Sequence, residues 1–428
     1  MTTPLRLGIA GLGTVGTGVV KIVRQKANLL AARTGRPIQI TAVSARTRDK
    51  DRGVSLTGYA WEDDPVKLAT REDVDVFVEL IGGADGSAKA AAEAALTAGK
   101  DVVTANKAML ALHGQELAEL AEERGHVIRF EAAVAGGIPV VKALTEGLAG
   151  NEVTRVMGVM NGTCNYILTR MEDSGLPYEQ VFEEANQLGY LEADPTLDVG
   201  GIDAGHKLAL LSAIAYGTQV DFHAVELEGI QRISIEDIHT AARMGFKIKL
   251  LGVAQMTGRG LEQRMSPCLV PADSPLGQLQ GGTNMVVLEG DAAGQIVLRG
   301  AGAGEGPTAS AVMSDIVEIA RGTRLTTFGQ PAKHLEKAIP ARTSAPAPYY
   351  LRMLLTDKPG AMAKVATVLG DAGISIDRMR QTQHDATAAP VVIVTHRTGR
   401  DALDTALAAL PGTGVVQGEP VAIRIEDV

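Results

Sequence analysis

Residues Leu5–Val20 read LRLGIAGLGTVGTGVV, and this stretch decides the N-terminal fold. Leu5, Leu7 and Ile9 alternate as a strand does, Gly11, Gly13 and Gly16 follow with the spacing G-x-G-x-x-G, and Val15, Val19, Val20 and Val23 then recur at helical intervals. A strand that turns through glycines into a helix lets a pyrophosphate approach the backbone and meet the free N–H groups of the helix N-terminus. Gly11, Leu12, Gly13, Thr14, Val15 and Gly16 are therefore the expected cofactor contacts of a dinucleotide site. Further strands are expected at Ile38 (IQITAVSA), Val74–Leu80, Asp101–Asn106 and Val127–Val134, with alanine-rich helices at Ser87–Ala98 and Leu110–Arg124. This alternation predicts an α/β fold with a doubly wound, Rossmann-type parallel sheet and a ligand at the carboxyl ends of its strands.

The second strand would carry an acidic residue for the ribose of NAD. The chain instead offers Ser44 and Arg46, with Arg48 and Lys50 beyond, which suit a 2′-phosphate. NADP is the expected cofactor and NAD the alternative.

From Asn151 the pattern changes to a strand (VTRVMGVM), a helix opening at NGTCNYI and a loop-rich stretch. Near Gly300 a glycine turn feeds a helix that could return to the first domain. ARTSAPAP, Ala341–Pro348, reads as a linker, and the tail from Tyr349 has the order β-α-β-β-α-β of the ferredoxin-like unit. The expected domains are 1–135 for the dinucleotide, with a returning segment 303–325, then 136–340 for substrate binding and dimerisation in an α+β arrangement, the linker 341–348, and the tail 349–428.

The 428 residues, 45% hydrophobic and 21% charged, allow about three domains without disulfide staples. A net charge of −9 without a long basic run speaks against nucleic acid or an anionic membrane as partner. Two cysteines, Cys164 and Cys268, form no framework, and uncharged runs such as Leu208–Val220 fall short of the ~20 residues of a membrane helix, so a cytoplasmic protein is expected.

Ionisable residues are densest from Glu192 to Lys207: Glu192, Asp194, Asp198, Asp203, His206 and Lys207. Gly200 and Gly201 break the chain before a helix, which puts Asp203 in its first turn and Lys207 four positions on, along the same face. Spacing alone allows an exposed ion pair as readily as a catalytic one.

The whole stretch ANQLGYLEADPTLDVGGIDAGHK, Ala185–Lys207, resembles the homoserine dehydrogenase signature, as do GLGTVG at Gly11–Gly16, TANK at Thr104–Lys107 and NGTCNYI at Asn161–Ile167. The resemblance implies NAD(P)-dependent, reversible reduction of L-aspartate 4-semialdehyde to L-homoserine. By motif it makes Lys207 the proton donor, with Lys107 and Asp203 catalytic beside it. It assigns Glu192, Asp198, Asp203, Tyr190, Asn161, Gly162 and Thr163 to the substrate, and Ile81, Gly82, Thr104, Asn106, Lys107, Gly189 and Gly304 to the nucleotide. It also implies a sodium ion held by Glu131 and the carbonyls of Val134, Gly136 and Ile138, and a homo-oligomer, dimer or tetramer.

DKPGAMAKVATVLGDAGISI, from Asp357, resembles an ACT domain, which implies an amino-acid effector, threonine first, near Asp357, Gly360, Ala361 and Ile374. Two other readings compete. Cys164 could be the nucleophile of a phosphorylating semialdehyde dehydrogenase, or the chain could be a nucleotide-linked amino-acid sensor.

Overall fold

The computed structural model describes residues 3–191, 194–381 and 388–428; Glu192 therefore lies outside the described residues. The N-terminal sheet consists of β1 (Leu5–Ala10), β2 (Ile38–Ser44), β3 (Ala60–Trp61), β4 (Val76–Glu79), β5 (Asp101–Thr104) and β6 (Ile128–Arg129). They are all parallel, in the order β3-β2-β1-β4-β5-β6, so the strand order reverses at β1. Ligands of such sheets bind at this switch point, beyond the carboxyl ends of the strands. The glycine turn occupies that place because nothing larger fits. A Cβ on Gly11 (φ +99°) would lie 2.2 Å from the Leu80 carbonyl oxygen, and one on Gly16 would lie 2.0 Å from that of Gly11.

Two sequence expectations shift here. The strand expected over Val127–Val134 stops at Arg129, because the Glu131 amide turns away to donate to Asp315 Oδ2 at 2.9 Å and residues Glu131–Ala133 coil into a 3-10 turn. The strand expected to end at Asn106 ends at Thr104, and Asn106 instead caps the helix Lys107–Glu123 by accepting from the Met109 amide at 3.1 Å.

The helix Glu305–Ala320 returns to the first sheet. Val312, Ile316 and Ile319 join Leu7, Ile9, Val19 and Val20 in one apolar cluster, and Lys21 pairs with Glu305 at 2.6 Å.

The second sheet contains β7 (Val153–Val159), β8 (Glu226–Leu227), β9 (Phe246–Thr257), β10 (Gly260–Pro271), β11 (Thr283–Gly290) and β12 (Gly294–Ala301). The tail adds β13 (Tyr349–Thr356), β14 (Ile376–Gln381), β15 (Ala388–Thr395) and β16 (Val416–Ile425), with helices Ala361–Asp371 and Arg400–Ala409. The order is β12-β11-β7-β9-β10-β16-β13-β15-β14, with β8 beside β10. The ferredoxin-like unit is thus present, with its own apolar core around Leu351, Val365, Val391 and Leu403, but its sheet continues that of the middle domain through β10 and β16.

The segment read as a linker is accordingly packed. Ser344 and Ala347 are buried, the Ala345 amide donates to Glu262 at 3.0 Å, and Ala347 exchanges two backbone hydrogen bonds with Thr398. Among the described residues no helix is long and apolar enough to cross a membrane.

Candidate active site

A cavity of about 520 Å³ lies at the carboxyl ends of β1 and β2, lined by Gly11, Leu12, Gly13, Ser44, Arg46 and Ile81. Its rim, basic at Arg46, Lys50 and Arg52 and acidic at Asp63, is organised by Arg52, which sequence reasoning missed. Arg52 Nε donates to the Leu12 carbonyl at 3.2 Å and its other nitrogens to the carbonyls of Lys50 (2.8 Å) and Thr47, so one guanidinium ties the basic loop to the glycine turn. Nothing in the run Arg46–Arg52 marks it apart from its basic neighbours. Glu79, fully buried at the end of β4, holds the opposite wall by accepting from the Ile81 and Gly82 amides at 2.7 and 3.1 Å.

Thr104 does not reach the cavity. It is buried, and its hydroxyl donates to Glu79 while accepting from the Asn106 amide. Thr14 opens the helix after the turn, and Gly304 caps the helix Glu305–Ala320, next to Ala303 and Thr308 of the neighbouring cavity.

That neighbouring cavity, about 500 Å³, gathers most of the residues assigned to catalysis and substrate. Val15, Lys107, Val134, Asn161, Gly162, Thr163, Gly189, Tyr190, Asp198, Asp203 and Lys207 all line it. At its base Asp203 bridges two lysines, with Oδ1 2.8 Å from Lys107 Nζ and Oδ2 2.7 Å from Lys207 Nζ. Burial would raise the Asp203 carboxyl, but Lys207 and then Lys107 outweigh it and hold the group well below the usual carboxylate range.

Lys107 comes from the first turn of one helix and Asp203 and Lys207 from one face of another, Ile202–Tyr216, which starts at Gly201 (φ +82°). Lys207 also donates to the Met160 carbonyl at 2.9 Å, and Asn284 Nδ2 donates to the same oxygen at 3.1 Å. A third cavity, about 310 Å³, also touches Lys107 and Asp203 and is lined further by Gly82, Asn106 and His206. His206 packs against Phe222 with the rings tilted at 47° and centroids 4.1 Å apart, and burial lowers its pKa.

The motif NGTCNYI turns β7 into the helix Gly162–Ser174. Asn161 Oδ1 caps it by accepting from the Cys164 amide at 2.8 Å, while its Nδ2 donates to Asp198 at 3.1 Å. Thr163 donates to the Tyr190 carbonyl at 3.0 Å, and the Tyr190 ring stacks on Tyr166. Cys164 is fully buried, its thiol donates to the Asp198 carbonyl at 3.4 Å, and burial pushes its pKa far up. A thiol held so cannot serve as the thiolate nucleophile.

Glu131 is buried, and its carboxylate accepts from the Val141 and Lys142 amides, both at 2.9 Å. Burial and then Asp315 raise it to about 7. A Cβ on Gly136 (φ +56°) would lie 2.4 Å from the Gly302 carbonyl oxygen, and the Ile138 carbonyl accepts from the Val140 amide. In the tail, Asp357 is exposed, Gly360 (φ +84°) opens the helix and Ala361 is buried. Ile374 points into the tail's core, so only its backbone is available to a ligand.

A glycine-turn crevice for a dinucleotide, opening beside two lysines that share one buried carboxylate, defines a nicotinamide-dependent oxidoreductase, here with a ferredoxin-like domain joined to it. Residues 11–131 match the family model for the homoserine dehydrogenase NAD binding domain, 139–317 that for homoserine dehydrogenase, and 349–412 that for the ACT domain. The chain is 42% identical to a homoserine dehydrogenase of Neisseria gonorrhoeae, covering 99% of each, and 38% identical to that of Bacillus subtilis, covering 99% of this chain and 98% of the other. A crystal structure of a homoserine dehydrogenase from Thiobacillus denitrificans superposes with a TM-score of 0.94 at 38% identity, covering 99% of both chains. A hyperthermophilic archaeal homoserine dehydrogenase in complex with NADPH gives a TM-score of 0.63 at 27% identity, covering 74% of this chain and 97% of that one. The chain belongs to the homoserine dehydrogenase family.

Proposed function

We propose that the chain reduces L-aspartate 4-semialdehyde to L-homoserine, reversibly, with NADPH preferred over NADH. The observation that carries this reading is the Lys107–Asp203–Lys207 bridge at the base of the cavity beside the glycine turn. The residues present fit a dinucleotide, since Gly11 and Gly13 of the tight turn line the cavity, a Cβ on Gly13 would meet nothing within 4 Å, and Ser44 and Arg46 line the same cavity. When bound, NADPH supplies the hydride that the aldehyde carbon takes up.

The protein's part is electrostatic and protonic. Asp203 and the Met160 carbonyl accept from two of the three Lys207 N–H bonds and leave one to aim at the carbonyl oxygen. As charge develops there, Lys207 gives up that proton and recovers one from solvent, while Lys107 keeps positive charge beside the oxygen. The ionised Asp203 holds both lysine side chains in place, one on each carboxylate oxygen. Asp198 and Glu192 are assigned to the substrate ammonium, with Asn161, Gly162, Thr163, Gly189 and Tyr190 shaping the pocket around it.

A sodium ion at Glu131 and the carbonyls of Val134, Gly136 and Ile138 belongs to the same proposal. A carboxylate buried beside Asp315 is a group that a cation would relieve. The tail is assigned an amino-acid effector, threonine first. Exposed Val297 on β12 and Met379 on β14, at the two edges of the second sheet, support a homo-oligomer. The test is the initial rate of NADPH and NADH oxidation by purified protein with the aldehyde, with and without threonine and sodium. Rapid aldehyde-dependent oxidation is expected, and its absence with both nucleotides would overturn the reading.

A further inference from the structure

The residues Ala272–Gly282 leave β10, cross one face of the second sheet and arrive at the active-site cavity. Leu276 and Leu279 anchor this crossing in an apolar cluster with Leu251, Val253 and Cys268. Its far end forms a cavity wall. Gly282 and Asn284 line the cavity, and a Cβ on Gly162 would lie 2.6 Å from the Gly282 carbonyl oxygen, so wall and helix start are in direct contact.

What fixes that end is polar. Lys249 lies on β9, two and four residues from Leu251 and Val253, and so projects from the same face. It is 3% exposed, and its Nζ donates to the Leu279 carbonyl and, at 3.0 Å, to Asn165 Oδ1. Asn165 Nδ2 in turn donates to the Gly281 carbonyl at 2.7 Å. Three elements, β9, the helix Gly162–Ser174 and the loop, are joined at one buried ammonium that the mechanism above does not use. Burial lowers the Lys249 pKa to about 8, with Glu172 acting in the opposite sense, so the site carries a cost that packing alone does not explain.

We propose that Lys249 is a positioning residue for the aldehyde substrate: through Leu279 and Asn165 it holds the Gly281–Gly282 wall against Gly162 and thereby sets the width of the pocket. The inference rests on the proposed aldehyde reduction for its kinetic readout. Lys207 is held by the Asp203 carboxylate and the Met160 carbonyl. The bonds of Lys249 and of the Asn165 side chain go instead to one another and to Leu279 and Gly281, so loss of the latch acts on substrate binding more than on proton transfer.

Lys249→Met keeps the length of the side chain and removes both donors. The expected result is an aldehyde KM raised on the order of tenfold, kcat within about threefold of the parent, and an unchanged NADPH KM. Asn165→Ala cuts the latch from the helix side and should give the same split, which keeps the test open if the lysine variant does not fold. Amide hydrogen exchange supplies a readout independent of the reaction, since the Leu279–Gly282 amides should exchange faster in either variant while those of β13 do not. Aldehyde KM within twofold of the parent in the folded variants, a loss confined to kcat, or unchanged exchange would each overturn the proposal. A parent enzyme inactive on the aldehyde would instead refute the proposed function and leave the exchange result to decide this one.

Discussion

Asp203 serves two lysines at once, so its removal and that of Lys207 have different consequences. Lys207→Ala should lower turnover by ~10² to 10⁴, because it removes the proton donor at the cavity base. Steady-state kinetics check this, and near-parental turnover would return Lys207 to the role of an ion-pair partner. Asp203→Asn should raise the aldehyde KM and lower turnover together.

The pH consequence has a definite sign. A carboxyl whose folded pKa is depressed contributes its full stability above its unfolded pKa of about 4 and loses it progressively as pH falls from there through the lower folded value. The parent should therefore lose stability more steeply than Asp203→Asn below about pH 4, as thermal melts across acidic pH would show. Cys164 makes the opposite case. With its thiol pushed far up by burial, it should resist alkylation in the folded enzyme at mildly alkaline pH, and Cys164→Ser should keep turnover within about threefold. Rapid alkylation with parallel loss of activity would reinstate the nucleophile reading. The sequence offered Cys164 as a reactive residue because a motif displays residue types and not their exposure.

At the level of elements, what was legible in the sequence is what depends on short-range periodicity. The strand, glycine turn and helix at Leu5–Gln25, the signature that places Asp203 and Lys207 on one helical face, and the order of the tail all read directly. What escaped is contact between distant segments. Glu131 leaves the sheet because Asp315, 184 residues away, takes its amide, and Lys249 and Asn284 reach the site from strands 84 and 124 residues from their partners. No local pattern announces such partners.

The basic loop after β2 illustrates both sides. Arg46, exposed at the cavity rim, was found from its place after the strand, whereas Arg52 matters through bonds to carbonyls that only the fold brings near. Arg46→Ala should raise the NADPH KM about tenfold or more and leave NADH within twofold, since one charge-assisted contact to a 2′-phosphate is worth about 1.5 to 3 kcal/mol. Arg52→Met should weaken both nucleotides, because it releases the glycine turn at Leu12 as well as the loop. Equal losses with both nucleotides in Arg46→Ala would remove Arg46 from the phosphate site.

For the whole molecule the decisive feature is that the tail is joined to the rest at two buried charge clusters. Asp237, fully buried, accepts from Tyr350 at 2.9 Å and from Arg352 at 2.6 Å, both on β13. Arg264 of β10 pairs with Glu262 at 2.9 Å and with Glu426, which Arg424 also meets at 2.8 Å. Beside the second cluster β16 adds to the β10 edge at Cys268 and Leu269.

The same strand leads to the active site, since Met265 packs against Gly201, the residue that opens the helix carrying Asp203 and Lys207. The match to the homoserine dehydrogenase family model ends at residue 317, and the residues lining the nucleotide and substrate cavities all precede Ala341. Cutting within Ala341–Pro348 should therefore leave aldehyde reduction substantially active. The product should nevertheless be less stable and prone to association, because the cut opens the β10 edge and strips Glu426 from Arg264.

Glu426→Gln in the full chain isolates the second effect. Leaving two buried arginines with one fewer anion should cost ~3 to 5 kcal/mol, seen as a lower midpoint in denaturant. If threonine acts through the tail, truncation abolishes its inhibition, and Arg352→Met weakens inhibition while threonine still binds, because an effector works only through its differential affinity for two states. Calorimetric threonine binding and inhibition curves on the same preparations check this. Inhibition that persists in a folded, active truncation would place the effector site in the catalytic unit.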